Sequence, residues 1–225
     1  MGFMDIIEAI HLRKSIRGFK SDPVPKGILE KVLELGTRSP SAENGQPWEI
    51  IVVTGETLEN IRRENIRKLN ALEPFNPEVQ MHVYAGIYKE RHMKLAAQLY
   101  GLMGITREDL EKRKSWVQRG FRFYDAPAAI ILIASNSLDE SPTQFDLGCL
   151  TQSICLAALG FGLGTCITGQ SVLYPEVTRK YCHIPESERI AMSIAIGYPD
   201  PDFPANALES TREPLENITT WLGFD

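Results

Sequence analysis

The strongest constraint on the fold lies mid-chain, where Ala128-Ala129-Ile130-Ile131-Leu132-Ile133-Ala134 runs without a polar residue and the stretch 145–159 is apolar on nearly every face. The first run has strand length and falls far short of the roughly 20 residues that cross a bilayer. It reads as a buried strand, and 145–159 reads as a central buried helix against which the sheet packs. An earlier run, Trp48-Glu49-Ile50-Ile51-Val52-Val53, is rich in β-branched residues and reads as another buried strand.

Helical spacing surrounds these strands. Phe3, Ile6, Ile7 and Ile10 place one apolar stripe on an opening helix that ends near Arg13. Pro23-Val24-Pro25 then interrupts the chain. Ile28, Leu29, Val32 and Leu33 repeat the stripe on a second helix, with Gly36 suited to its C-terminal cap. A polar, turn-rich loop over 39–47 leads into the strand at 48–53, and a helix is expected over 57–69 with Thr57 at its N-cap. Residues 70–124 read as short helices on an excursion, a lid over a site. Gly160-Phe161-Gly162-Leu163-Gly164 ends the central helix. A short strand at 165–168, a helix near 175–181 and a last strand at 190–196 come next, and then a proline-containing extended tail. Strands and helices mix without regular alternation, which implies one α+β domain over 1–225.

Composition removes several functions. The 225 residues carry 24 basic and 29 acidic side chains, a net charge of −5 that argues against a nucleic-acid binder. The balance is uneven: residues 1–125 hold 20 basic and 17 acidic groups (+3), and residues 126–225 hold 4 and 12 (−8). A small anionic ligand is therefore expected on the first half. With no membrane-length apolar run and an amphipathic rather than secretory first segment, the chain reads as soluble and cytoplasmic. Cys149, Cys155, Cys166 and Cys182 form no CxxC pair and read as reduced thiols. His11, His82, His92 and His183 are scattered, and no metal site is expected. The glycine run comes after a helix, the reverse of a dinucleotide fingerprint. Neither a GxSxG elbow nor a GxxxxGK[ST] loop supports a hydrolase or kinase.

Arg13-Lys14-Ser15-Ile16-Arg17 sets three cations and a hydroxyl within five residues. Such a cluster can grip a phosphate, and a solvated helix end has the same composition. Later segments of the chain strengthen the phosphate reading. The order R-K-S-I-R-x-F, S-P-S-A-E-N-G-Q-P-W-E-I-I-V-V, the segment from Ala157-Ala158-Leu159-Gly160 through Thr168-Gly169, Gly197-Tyr198-Pro199 and Arg212-Glu213-Pro214-Leu215-Glu216 resembles the nitroreductase family of FMN-dependent oxidoreductases. The resemblance spans 5–217, with 70–124 weakly matched.

That resemblance implies a nitroreductase-like fold: a central mixed β-sheet flanked by helices, a helical excursion and an extended C-terminal segment. It also implies an intertwined homodimer with FMN in each of two interfacial clefts, lined by both subunits. By position, Arg13 and Ser15, joined by Arg212, would bind the FMN phosphate. Lys14 stands where the family often has a second basic residue. Arg17 would lie beside flavin N1 and O2, where a fixed cation favours the negatively charged reduced ring. Pro40, Ser41 and Asn44 match the loop that reaches the partner subunit's flavin. Ile167, Thr168 and Gly169 match the segment against the isoalloxazine, with the backbone N–H groups of 168 and 169 directed at N5 and O4. Thr168 departs from relatives that carry an acid there, and Cys166 before it reads as a packing residue. The implied reaction is ping-pong: NADH or NADPH delivers hydride to N5, and a nitroaromatic or quinone acceptor then takes the same place, with no side-chain catalyst. Two alternatives stay open, a related flavin enzyme for reductive dehalogenation or flavin cleavage, and a non-enzymatic flavin-sequestering protein. Tyr84, Tyr88, Phe121 and Tyr124 either stack on a planar acceptor or fill a local core.

Overall fold

The computed structural model describes residues 4–80 and 83–224. The main helices are α1 (Ile6–Leu12), α2 (Lys26–Gly36), α3 (Gly55–Asn70), α4 (Gly86–Leu102), α5 (Leu110–Phe121), α6 (Glu140–Leu159) and α7 (Pro175–Cys182). The strands are β1 (Glu49–Thr54), β2 (Ala128–Ser135), β3 (Gly164–Thr168) and β4 (Glu188–Gly197), in sheet order β1-β2-β4-β3. The protein is α+β. The sheet expected to be mixed is antiparallel across these four strands, and among the described residues parallel pairing is confined to an isolated bridge between Ser15 and Thr165.

The unbroken apolar run of β2 results from its place inside this sheet. Ala129, Ile131 and Ile133 face a layer containing Leu58 and Ile61 of α3, Phe121 of α5 and Val177 of α7. The alternate residues Ala128, Ile130, Leu132 and Ala134 face Leu29 and Val32 of α2 and Leu147, Leu150 and Ile154 of α6. With helices on both faces, neither set of side chains can be polar. Each fully buried Ile or Leu contributes about 1.5–3 kcal/mol.

Several elements differ from expectation for identifiable reasons. β1 runs to Thr54 and is an edge strand in which only Val53 is buried, so it does not share the cover of β2. α3 begins at Gly55 behind Thr54, which places Thr57 inside the helix rather than at its cap. Gly36 is the last residue of α2, and the cap is Thr37. Packing explains Gly36, because a Cβ there would lie 2.5 Å from Ile154 Cγ1. α6 starts at Glu140, and Phe145 is 74% exposed, so the helix is not buried all round. α4 has 17 residues and is not short. On α1 the stripe of Ile6, Ile7 and Ile10 faces outward and only Ala9 is buried. Phe3 of that stripe lies outside the described residues. Among the described residues, no helix is long and apolar enough to cross a membrane.

Candidate functional site

The outer side of β3 is joined by the arm that extends from α1. Ile16 N donates to Thr165 O at 2.9 Å, Lys20 N donates to Tyr198 O at 2.9 Å, and Phe19 bridges to Pro199. Two glycines permit this approach. A Cβ on Gly164 would meet Ile16 Cγ1 at 2.5 Å, and one on Gly18 would meet the Phe203 ring at 2.0 Å. The Asn206 amide completes the seating. Its Oδ1 accepts from Arg17 N at 2.7 Å and Gly18 N at 3.1 Å, and its Nδ2 donates to Gly18 O and Asp200 O, both at 2.8 Å. Arg13, Lys14, Ser15 and Arg17 are thereby fixed, half-buried, alongside β3.

The charge on this arm is uncompensated. Among the described residues, Arg13, Lys14, Arg17 and Arg212 have no carboxylate within 4.0 Å, whereas Arg62, Arg67, Lys68, Arg119 and Arg122 are each ion-paired. Arg13, Lys14 and Arg17 are half-buried and Arg212 is exposed, and half-buried cations without counter-charges favour an incoming anion. Arg17 Nη1 donates to Ser15 O at 3.4 Å. Its positive charge also acts on the Tyr124 phenol and the Cys166 thiol. Burial pushes Tyr124 up to about 12 and Cys166 up to about 11; Arg17 opposes both shifts. At neutral pH phenol and thiol are both uncharged, and the positive charge of Arg17 remains available.

Tyr124 reaches Arg17 from an unusual backbone. Phe123, Tyr124 and Asp125 have φ of 55°, 52° and 59°, a left-handed run that costs about 1–3 kcal/mol per residue. Polar contacts hold it. Arg119 Nη2 donates to Arg17 O at 3.0 Å and to Tyr124 O at 3.2 Å, and Arg119 pairs with Asp125 at 2.8 Å. Arg62 Nε donates to Arg122 O at 2.9 Å, and its Nη2 caps Ala126 O. One guanidinium thus ties the arm to the turn that carries Tyr124.

At the far end of β3, Ile167 is 41% exposed and Thr168 is buried. The Thr168 Oγ1 has no hydrogen-bond partner among the described residues, a cost of about 1–3 kcal/mol unless something else bonds it. The Thr168 carbonyl, by contrast, accepts from Ser193 Oγ at 2.8 Å. Uncompensated cations at one end and an orphaned hydroxyl at the other fit a ligand with an anionic tail and a hydrogen-bonding head.

The remaining sequence-predicted residues lie elsewhere in the single chain. Pro40, Ser41 and Asn44 belong to a loop fastened to α6: Ala42 N donates to the Asp146 carboxylate at 3.3 Å, and Ser39 Oγ lies within hydrogen-bonding distance of Ser153 Oγ at 2.7 Å and Cys149 O at 3.2 Å. Glu43, Asn44 and Gln46 have φ of 51°, 59° and 47°. Among the described residues the Asn44 carboxamide makes no hydrogen bond, and it is exposed. Arg212 Nη1 donates to Ser210 O at 3.1 Å, Ser210 Oγ at 2.8 Å and Thr211 O at 3.0 Å. Its segment lies on α4, where Arg91 pairs with Glu213 at 2.7 Å. Between them is a cavity of about 690 Å³ lined in part by Tyr84, Tyr88, His92, Gln98 and Arg212. Phe121 and Tyr124 are buried in the core, so of the four aromatics Tyr84 and Tyr88 are the accessible ones. No hydrogen bond or ion pair among the described residues joins the loop or Arg212 to the arm.

The sequence profile of the nitroreductase family matches residues 10–198. The chain belongs to the nitroreductase family. It is 31% identical over 220 residues to a chloronitrobenzene nitroreductase of Comamonas testosteroni, covering 96% of both chains. It is also 31% identical to a nitrobenzene nitroreductase of Ectopseudomonas oleovorans, again covering 96% of each. Among solved structures, the FMN- and NADPH-dependent nitroreductase NfnB of Sphigopyxis sp. strain HMH superposes with a TM-score of 0.93 at 27% identity, over 98% of this chain and 100% of that one.

Within this nitroreductase-family chain, several residues that shape the site carry no motif. Asn206 stands in a short Pro-Ala-Asn-Ala turn 189 residues after Arg17, and no local pattern announces the pairing. Arg119 looks like one more cation in a charged helix. Ser193 had a signal: a lone hydroxyl inside the apolar strand Ala191-Met192-Ser193-Ile194-Ala195 needs a buried acceptor.

Proposed function

We propose that the protein is an FMN-dependent oxidoreductase that uses NAD(P)H to reduce nitroaromatic or quinone acceptors by a ping-pong cycle in the cytoplasm. Residues 1–225 act as one FMN-binding domain, and two copies form a homodimer with FMN at the interface. The observation that carries the reading is the row of uncompensated cations along β3, which ends at the orphaned Thr168 hydroxyl.

In this reading Arg13 and Ser15 hold the phosphate, with Lys14 and Arg212 adding charge, and Arg17 faces the N1–O2 edge of the flavin. Ile167 offers an apolar surface to the ring, and the backbone N–H groups of Thr168 and Gly169 donate to N5 and O4. When bound, FMN supplies a two-electron carrier that takes hydride at N5 from NAD(P)H and passes it to the acceptor. The chain binds, orients and polarises; it supplies no acid or base. Charge-assisted contacts such as that of Arg17 are worth about 1.5–3 kcal/mol.

Pro40, Ser41 and Asn44 serve the partner's cofactor. Support for the second copy comes from the apolar surface that one chain leaves open: Ile6, Ile7 and Ile10 on α1, Phe145 on α6, and Trp221, Leu222 and Phe224 in the C-terminal segment are all at least 55% exposed. Anaerobic stopped-flow reduction by NADH and NADPH, and then reoxidation with nitroarenes and quinones, tests the function. Full reduction of the flavin by a nicotinamide without acceptor, and reoxidation by an acceptor without nicotinamide, support it. Bound FMN that no nicotinamide reduces points to sequestration, and stoichiometric loss of reduced FMN in air points to flavin cleavage.

A further inference from the structure

Two serine hydroxyls are buried together, Ser193 on β4 and Ser171 in the turn that follows β3. Ser171 and Ser193 are both 0% exposed. Their Oγ atoms are 2.6 Å apart, and Ser193 Oγ donates to Thr168 O at 2.8 Å. Each hydroxyl has one hydrogen. The contact of Ser193 Oγ with Thr168 O, at 2.8 Å against 3.4 Å for Ser171 Oγ, makes Ser193 the nearer donor to that carbonyl and leaves Ser171 to supply the hydrogen between the two oxygens. Ser171 is itself held from behind, because Asn65 Nδ2, fully buried on α3, donates to its carbonyl at 2.9 Å. A short chain of donors therefore runs from Ser171 through Ser193 to the carbonyl of Thr168, and Asn65 anchors the Ser171 backbone.

The peptide unit gives that chain its meaning. In a planar trans peptide the C=O of residue 168 and the N–H of residue 169 point in opposite directions. A carbonyl held toward Ser193 of β4 turns the Gly169 N–H away from β4, to the side of β3 where the Arg13–Arg17 arm lies. Hydrogen bonds in series also polarise one another, so donation to the carbonyl strengthens the N–H as a donor.

We propose that Ser193, backed by Ser171, is a positioning residue that fixes and polarises the Thr168–Gly169 peptide so that its N–H is presented to the N5–O4 edge of the flavin. The inference rests on the FMN reading above and deepens it.

The test uses the holoprotein reconstituted with FMN labelled with 15N at N5 and 13C at C4. In Ser193→Ala the fold and FMN retention persist, because the serines do not touch the cofactor. The N5 or C4 resonance moves toward its position in an apolar solvent, and the rate constant for reduction by NAD(P)H falls about tenfold, which is ~1.4 kcal/mol of barrier. Ser171→Ala shifts the same resonances by a smaller amount and serves if Ser193→Ala fails to fold. Unchanged resonances in a folded, FMN-loaded variant overturn the proposal while leaving the function intact. A wild-type protein that takes up no FMN overturns the function itself.

Discussion

Phe121 and Phe123, beside the turn that carries Tyr124, are at most 1% exposed, and the backbone around them is tied by Asn65, Arg62 and Arg119. Across the molecule, Ile7 on α1 is 65% exposed, Phe145 on α6 is 74% and Leu222 in the C-terminal segment is 83%. Both regions are rich in large apolar side chains; they differ in whether one chain can cover them. The first is closed by helices on a sheet face. The second has no cover among the described residues, and it is also where Asn44 extends an amide that bonds to no described residue. In the proposed dimer the arm and β3 would belong to the closed region, and the 40–47 loop to the surface that the second copy covers.

Breaking the open region should give the largest effect. Ile7→Glu combined with Ile10→Glu places two carboxylates in a surface that the proposed dimer buries, at a cost of several kcal/mol. Sedimentation should show single chains that retain far-UV circular dichroism but have lost FMN; an FMN-loaded dimer would contradict the contrast. Breaking the closed region comes next. Ile131→Ala, at a site with no exposure, should lower the unfolding free energy by about 2–5 kcal/mol in urea titration, whatever the state of assembly.

Removing the clamp between arm and tail is a smaller change. Asn206→Ala leaves the backbone N–H groups of Arg17 and Gly18 without their acceptor, at about 1–3 kcal/mol. FMN affinity should fall with it, measured by quenching of flavin fluorescence. The smallest effect at neutral pH is titration. Tyr124 is raised from the usual 10 to about 12, and Cys166 and Cys182 from 9 to about 11, chiefly by burial. The folded state therefore holds these protons more tightly than the unfolded one. Their contribution is complete below about pH 9 and is lost as pH rises through 9 to 12. Urea midpoints should be flat from pH 7 to 9 and fall above it. Tyr124→Phe should remove the part of that fall due to the phenol.

Much of the closed region was legible in the chain because burial on both faces leaves a composition that admits one reading. β2 falls where its apolar run lies, and β3, β4 and α7 begin and end within two residues of expectation. The cluster at 13–17 has the composition of a solvated helix end as well, and its phosphate reading depends on the blocks that follow it in the chain. The open region resisted for a physical reason: a stripe such as Ile6, Ile7 and Ile10 reports that one helix face is apolar without reporting what covers it. Gly36 was read as a cap because helix ends favour glycine; its close approach to Ile154 depends on a partner 118 positions away. Asn206 and the Ser171–Ser193 pair act through contacts made only once the sheet has formed.

Sedimentation velocity of the FMN-reconstituted protein, recorded at 280 nm and in the visible flavin band across a dilution series, tests the central claim most directly. The account predicts that yellow colour travels with a species of twice the single-chain mass and is released as that species dissociates. Colour that stays with a single chain at every dilution would contradict it.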